Sequence, residues 1–279
     1  MNLNESNLEG KAFEEKLKMW AEETATFYHQ KAQEAPKYDI AFYTQSDLNK
    51  ATLLPKLLIL AINPGSEGTY TGQINNEKWK KWGVNGRMDG NTLLKGNPDW
   101  KNRDKKWKFW QRLSNIFNRG GIKDILQDEN RFVFSNLTLF ATKKEKYLPN
   151  DIFDECAERT VQLINVLHPK HILCLGGANC INHLKKVGKF EVKELLPFGS
   201  LFYGKFNGIP VYGIKHTAGR PPYTTEEMEL IGKCLKFLMD NPLKDFSLEE
   251  MQEKFAKEIK AVEARKAHTK AHGSLVNIF

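Results

Sequence analysis

The chain has 279 residues, of which 41% are hydrophobic and 27% charged, so it can bury a sizeable core and is not disordered by composition. A net charge of +8 favours a polyanionic partner, although a basic tail gives the same sum. No run reaches the roughly 18 apolar residues that a bilayer-spanning helix needs, and the stretch "MNLNESNLEGKAFEEKL" lacks the apolar centre of a signal peptide.

Four cysteines, Cys156, Cys174, Cys180 and Cys234, have no C-x-x-C spacing and sit on apolar segments. Scattered thiols of this kind are expected as buried, free cysteines of a reducing compartment, so a soluble cytoplasmic protein is expected.

Taken in chain order, residues 10–35 predict an amphipathic helix, with Phe13, Leu17, Trp20 and Phe27 near a 3.6 period. "KLLILAI" (56–62) is a nearly continuous apolar run, as a parallel strand covered on both faces requires. A long polar excursion bearing Trp79, Trp82 and Trp100 follows to about residue 104; loops of that length in a compact domain are functional or ordered by their own packing. "KWKFWQRLSNIF" (106–117) has helical period, and its tryptophans read as core for the excursion.

"RFVFSNLTLF" (131–140) predicts a second strand containing Asn136, and residues 150–167 a helix with an Asn/Asp cap. "KHILCLGG" (170–177) predicts a third strand running into a glycine pair, then a short helix to about Lys186. Two or three further strands follow, the last being "PVYGIKH" (210–216), and 224–241 is a helix with a Thr cap and an acidic first turn. The tail, about 247–272, carries Leu248, Met251, Phe255, Ile259 and Val262 as a helical stripe with a basic far face. It reads as a packing helix, with a nucleic-acid arm as the alternative.

Alternating strands and helices imply a doubly wound α/β sheet with helices on both faces. Ligands of such sheets bind beyond the carboxyl ends of the strands. That rule selects Asn63-Pro64-Gly65, Asn136, Gly176-Gly177 and His216.

Each has a bland reading beside a chemical one. Asn63-Pro64-Gly65 is a turn or a ligand-facing loop. Asn136 is a hydrogen-bonded strand end, or a carboxamide with one acceptor and two donors for a pyrimidine edge. His216 is structural, or a donor to an oxygen where negative charge develops. Gly176-Gly177 read as a close strand-to-helix packing point, with phosphate contact secondary. His168, His171 and His183 have no carboxylate or cysteine partner at metal-ligand spacing, so no metal site is expected. "KKEK" (143–146) reads as a solvated loop or a phosphate contact.

Four segments together resemble the uracil-DNA glycosylase superfamily, in the N-P-G branch of the mismatch-specific and single-strand-selective uracil glycosylases. "AINPGSEGTYTG" resembles the first motif and "VFSNLTLF" the second-strand motif. "LINVLHPKHILCLGGANCINHL" is similar to the helix–Pro–strand–Leu-Gly segment, and "IKHTAGRPP" resembles the last motif, commonly H-P-S-x-R. The order is right, and the likeness covers about residues 56–240.

The resemblance implies a three-layer α/β/α sandwich around a mainly parallel four-stranded sheet, in one domain spanning 1–279. It implies hydrolysis of the N-glycosidic bond of uracil or a related damaged base in DNA, by a monomer without cofactor, metal or membrane. Asn63 would position the attacking water, without the more strongly activating aspartate of other branches. His216 would donate to the uracil O2, Asn136 would read the base edge, and Gly65 would floor the base. Tyr70, or else Phe140, would stack on the flipped base. Thr217, Gly219 and Arg220, beside Pro221, would lie on the loop that presses into DNA.

Departures are visible. The last motif reads His-Thr-Ala-Gly-Arg, Ala61 stands where glycine is usual, and the excursion has no family counterpart. Cys156 alone matches a cluster ligand of the iron–sulfur members, so a four-cysteine cluster is ruled out. Two rival readings stand beside this one: a non-catalytic nucleic-acid-binding relative, and a small-molecule or nucleotide hydrolase. Clustering of Lys and Arg around the strand ends would separate nucleic-acid binding from the latter.

Overall fold

The computed structural model describes residues 3–33, 39–66, 68–143, 148–217, 223–242 and 244–273. Its elements in chain order are α1 (Leu3–Gln33), β1 (Leu57–Ala61), α2 (Tyr70–Asn75), α3 (Glu77–Trp82), α4 (Gly90–Lys95), α5 (Arg103–Lys106), α6 (Lys108–Arg119), β2 (Phe132–Asn136), α7 (Asn150–Leu167), β3 (Ile172–Leu175), α8 (Ala178–Gly188), β4 (Val192–Leu196), β5 (Leu201–Phe206), β6 (Ile209–Ile214), α9 (Thr225–Asp240), α10 (Leu248–Lys254) and α11 (Ala256–Gly273).

The sheet has six strands in the order β2-β1-β3-β6-β5-β4, which corrects the four that the resemblance implies and agrees with the upper count of the chain-order reading. β2, β1, β3 and β6 are mutually parallel; β5 joins β6 antiparallel, and β4 joins β5 antiparallel at the edge. The cause is a tight turn at Asn207-Gly208, both at positive φ (48° and 81°), the conformation that suits a hairpin between right-twisted strands. β4 forms the edge and presents Lys193 and Glu194 to solvent, which discourages further strand addition.

Alternation along the buried strands splits the core in two. Leu58, Leu60, Val133, Ile172, Cys174 and Val211 face one side and pack with α1, α4, α7 and α8. Leu57, Ile59, Ala61, Phe132, Phe134, Leu173 and Ile214 face the other and pack with α6, α9, α10 and α11. All five residues of β1 are buried, in keeping with its unbroken apolar run. α6 and α9 cross so closely that a Cβ on Gly232 would lie 2.3 Å from the Ile116 carbonyl oxygen.

The tail is two helices rather than one. Ser247 and Glu250 form a capping box for α10, and the chain kinks at the buried Phe255 before α11. Met251, Phe255, Ile259 and Val262 lie in the second core, so the stripe packs as expected. The excursion is likewise ordered, as four short helices, α2–α5, with Trp100 packed among Trp107, Trp110, Phe132 and Phe134. All four cysteines are free and buried, and burial pushes the Cys156 thiol up to about 11.

Candidate functional site

A cavity of about 690 Å³ opens at the carboxyl ends of the parallel strands. Asn63, Asn136 and His216, which follow or end β1, β2 and β6, all line it, as does Gly65. Three residues from separate parts of the sequence are thus brought to one place.

Asn136 ends β2 opposite Ala61 of β1, and the ladder continues through Leu137 N to Ala61 O (2.8 Å) and Thr138 N to Ile62 O (3.0 Å). Its backbone carbonyl accepts from Thr160 Oγ1 at 2.9 Å. Its side chain differs. The residue is 1% exposed, yet neither Oδ1 nor Nδ2 meets a hydrogen-bond partner among the described residues. A buried polar group without a partner costs about 1–3 kcal/mol, so this carboxamide, which lines the cavity, calls for a hydrogen-bonding partner from that side.

Asn63 is held by its amide end. Nδ2 donates to the backbone carbonyl and, at 2.8 Å, to the hydroxyl of Thr142, and lies 3.2 Å from the Pro64 carbonyl. Its Oδ1 forms no hydrogen bond among the described residues, so the acceptor atom is the one left for a ligand.

His216 follows β6, and burial lowers its imidazole below the ordinary histidine value, so it is neutral at pH 7. Its ring lies 5.9 Å from that of Phe109, which packs on Phe134 at 5.8 Å and stacks on Trp107 at 5.6 Å. Trp107, Phe109 and Phe134 line the cavity beside the small residues Ala61 and Ala141. On the opposite wall Tyr43 packs against Trp79 and shares a short hydrogen bond with Ser66, while Gln73 is committed to both backbone groups of Phe42.

Two stacking candidates lie elsewhere. Tyr70 is 2% exposed; its hydroxyl bonds His29 Nδ1 at 2.6 Å and accepts from Met88 N at 3.1 Å, and its ring stacks on Phe42. It is the first residue of α2, and that helix turns the ring into the core. Phe140 is fully buried against Tyr28 and Phe42. Thr217 also fails as a surface contact. It is fully buried, its hydroxyl donates to Phe109 O at 2.8 Å, and its carbonyl accepts from Arg112 at 3.0 Å. It ties the turn after His216 to the start of α6. Gly219 and Arg220 lie outside the described residues.

Gly176 and Gly177 adopt positive φ, and both amides donate to Ile214 O, so these N–H groups join β3 to β6 rather than presenting themselves to a phosphate. Sequence reasoning missed Thr142, Trp107 and Phe109 as site residues. The signal for the aromatics was their alternation with lysines in "KKWKFW" (105–110).

Compared with known proteins, the chain matches no family model and no curated protein sequence.

Proposed function

We propose that the cavity is a base-excision site that hydrolyses the N-glycosidic bond of uracil or a related damaged base in DNA. The observation that carries this reading is the unpartnered, buried carboxamide of Asn136. A uracil edge presents an N–H donor beside carbonyl acceptors, and Asn136 supplies an acceptor and donors to meet them. A base edge would supply the hydrogen bonds that no described residue gives this buried carboxamide.

The remaining parts fit the chemistry. Asn63 Oδ1 orients a water toward C1′ of the sugar. The water oxygen bonds C1′ as the C1′–N bond breaks, the bond's electron pair leaves with the base, and the water's proton passes to solvent. Neutral His216 donates its N–H to the base oxygen where negative charge gathers, an interaction that strengthens in the transition state. No carboxylate stands at position 63, so the water is positioned more than activated. Phe109, stacked between Trp107 and the His216 side of the cavity, replaces Tyr70 as the face on which an extruded base rests.

Helices on both faces of the sheet support the layered architecture that the resemblance implies. The segment 77–108 bordering the cavity carries ten Lys or Arg against four Asp or Glu, which favours nucleic acid over a small-molecule substrate.

The test is incubation with uracil-containing single- and double-stranded oligonucleotides, followed by alkali to reveal abasic sites. Strand breaks are expected from the wild type, with losses of about 10²-fold or more in Asn63→Ala and His216→Ala. No breaks in either context, or undiminished activity in both variants, would sink the proposal.

A further inference from the structure

The excursion between β1 and α6 contains two segments in which lysines alternate with aromatic residues, "KWKKW" (78–82) and "KKWKFW" (105–110). They are more than 20 residues apart in the chain and meet at one carboxylate. Asp99 accepts an ion pair from Lys78 on one oxygen and from Lys106, at 2.8 Å, on the other. Burial alone would raise the Asp99 carboxyl, but the hydrogen bonds from Lys106 and Lys78 outweigh it and hold it below the usual range. Asp99, Lys78, Trp79 and Trp107 all line the cavity, so this junction forms its rim.

Charge and rings are both presented outward there. Two lysines on one aspartate leave a surplus positive charge, and both lysine side chains are about half exposed. Lys101, Lys105 and Lys108 are exposed, and none of the three makes an ion pair among the described residues. Trp79, Trp107 and Phe109 are only partly buried. Cations that follow a backbone, interleaved with open aromatic faces, are what an unpaired nucleic-acid strand requires: phosphates meet the cations and bases stack on the rings.

We propose that this lysine–aromatic rim is a binding track for unpaired nucleotides of a DNA strand entering the cavity, with Asp99 pinning its two halves together. This rests on the reading that DNA reaches the cavity, but the track needs neither a damaged base nor catalysis. A rigid duplex would not offer its base faces to the rim, so single-stranded DNA is the ligand that fits.

The experiment measures fluorescence anisotropy of a labelled, uracil-free oligonucleotide over a range of salt, as single strand and as duplex. Three variants are compared with wild type: Lys78→Gln/Lys106→Gln, Lys101→Gln/Lys105→Gln/Lys108→Gln, and Lys185→Gln/Lys186→Gln/Lys189→Gln. The last removes as many charges from the C-terminal end of α8 and its cap, Lys189, as the second does from the rim. The single strand is expected to bind tighter than the duplex. Both rim variants should weaken it about tenfold or more, and lower the salt slope by about 1.4 and about 2 respectively. The α8 variant should bind like wild type.

Equal losses in the rim and α8 triple variants would reduce the effect to net charge and overturn the proposal. So would a preference for duplex. Excision and binding are read separately: Asn63→Ala is expected to slow base release by about 10²-fold or more while leaving the uracil-free strand bound, and strand binding by a wild type that releases no base keeps the track and removes only the hydrolase reading.

Discussion

Asn63 donates its side-chain amide to both the backbone carbonyl and the hydroxyl of Thr142, 79 residues further along the chain. This pair fixes which end of the Asn63 carboxamide faces the cavity. Thr142→Val keeps the volume and removes the hydroxyl acceptor, so Asn63 keeps the Thr142 and Pro64 carbonyls and gains rotational freedom. The expected result is a folded protein with single-turnover excision slowed by about tenfold to 10²-fold. A rate equal to wild type would show that the threonine hydroxyl does not position the asparagine.

Asn136 makes an opposite kind of prediction, since no described residue meets the hydrogen-bonding capacity of its buried carboxamide. Asn136→Leu substitutes an apolar group of similar size and is expected to stabilise the protein by about 1–2 kcal/mol, while base excision is lost. For a chain of this length that raises Tm by roughly 2–4 °C per kcal/mol. Calorimetry that finds the variant destabilised would mean the carboxamide is satisfied in the native protein, and the argument for base recognition would fall.

The strand ends were legible from sequence because a covered parallel strand must be an apolar run, and β1, β3 and β6 are such runs. The two outer strands were harder. β4 exposes Lys193 and Glu194 and lacks a clean alternation, and only the Asn207-Gly208 pair announced the hairpin that adds β5. Tyr70 illustrates a different limit. The resemblance implied a stacking aromatic after the first motif, but α2 begins at Tyr70, and its hydroxyl finds His29 and Met88 in the core. Phe109 comes from a helix 46 residues after Asn63, and nothing local in the sequence ties it to the cavity; Thr217 makes that link.

Stability is expected to fall in mild acid. His171 is buried against Tyr212, whose hydroxyl lies 3.2 Å from its Nδ1. Burial, and then the charges of Lys56 and Lys170, lower its imidazole from 6.5 to about 4, with Asp240 opposing. The folded state therefore keeps the neutral ring while the unfolded chain takes up a proton. The His171 contribution is fully present above pH 6.5 and is lost as pH falls toward 4, on the order of 3 kcal/mol in all. His216 is shifted in the same direction by burial and adds to the trend. Urea midpoints at pH 7.5 and 4.5 should differ clearly in wild type and less in His171→Asn. An equal drop in both proteins would assign the acid sensitivity elsewhere.

Arg103 anchors the return of the excursion. Its guanidinium lies 4.3 Å from the Trp100 ring and 5.3 Å from that of Trp110, and donates to Glu129 at 2.9 Å. Removing it leaves Glu129 partly buried with Lys50 as an ion-pair partner and the Trp100 indole N–H, at 3.1 Å, as a hydrogen-bond donor. Arg103→Met is expected to cost about 2–3 kcal/mol, below the range for a fully buried pair because Glu129 keeps some solvent. Arg103→Lys should recover little of this, since an ammonium cannot lie flat on the indoles. Complete rescue by lysine in thermal melts would count against the planar stacking argument.

The register of Ala61 opposite Asn136 has a mechanical consequence. Asn63, Asn136 and His216 follow or end three strands of one hydrogen-bonded ladder, β2-β1-β3-β6, in which neighbouring strands lie about 4.8 Å apart. Such a frame does not hinge, so these groups cannot close around a substrate by domain motion. Adaptation must come from the ligand: under the proposed function, a DNA strand would unstack and bend to reach a template that folding has already set.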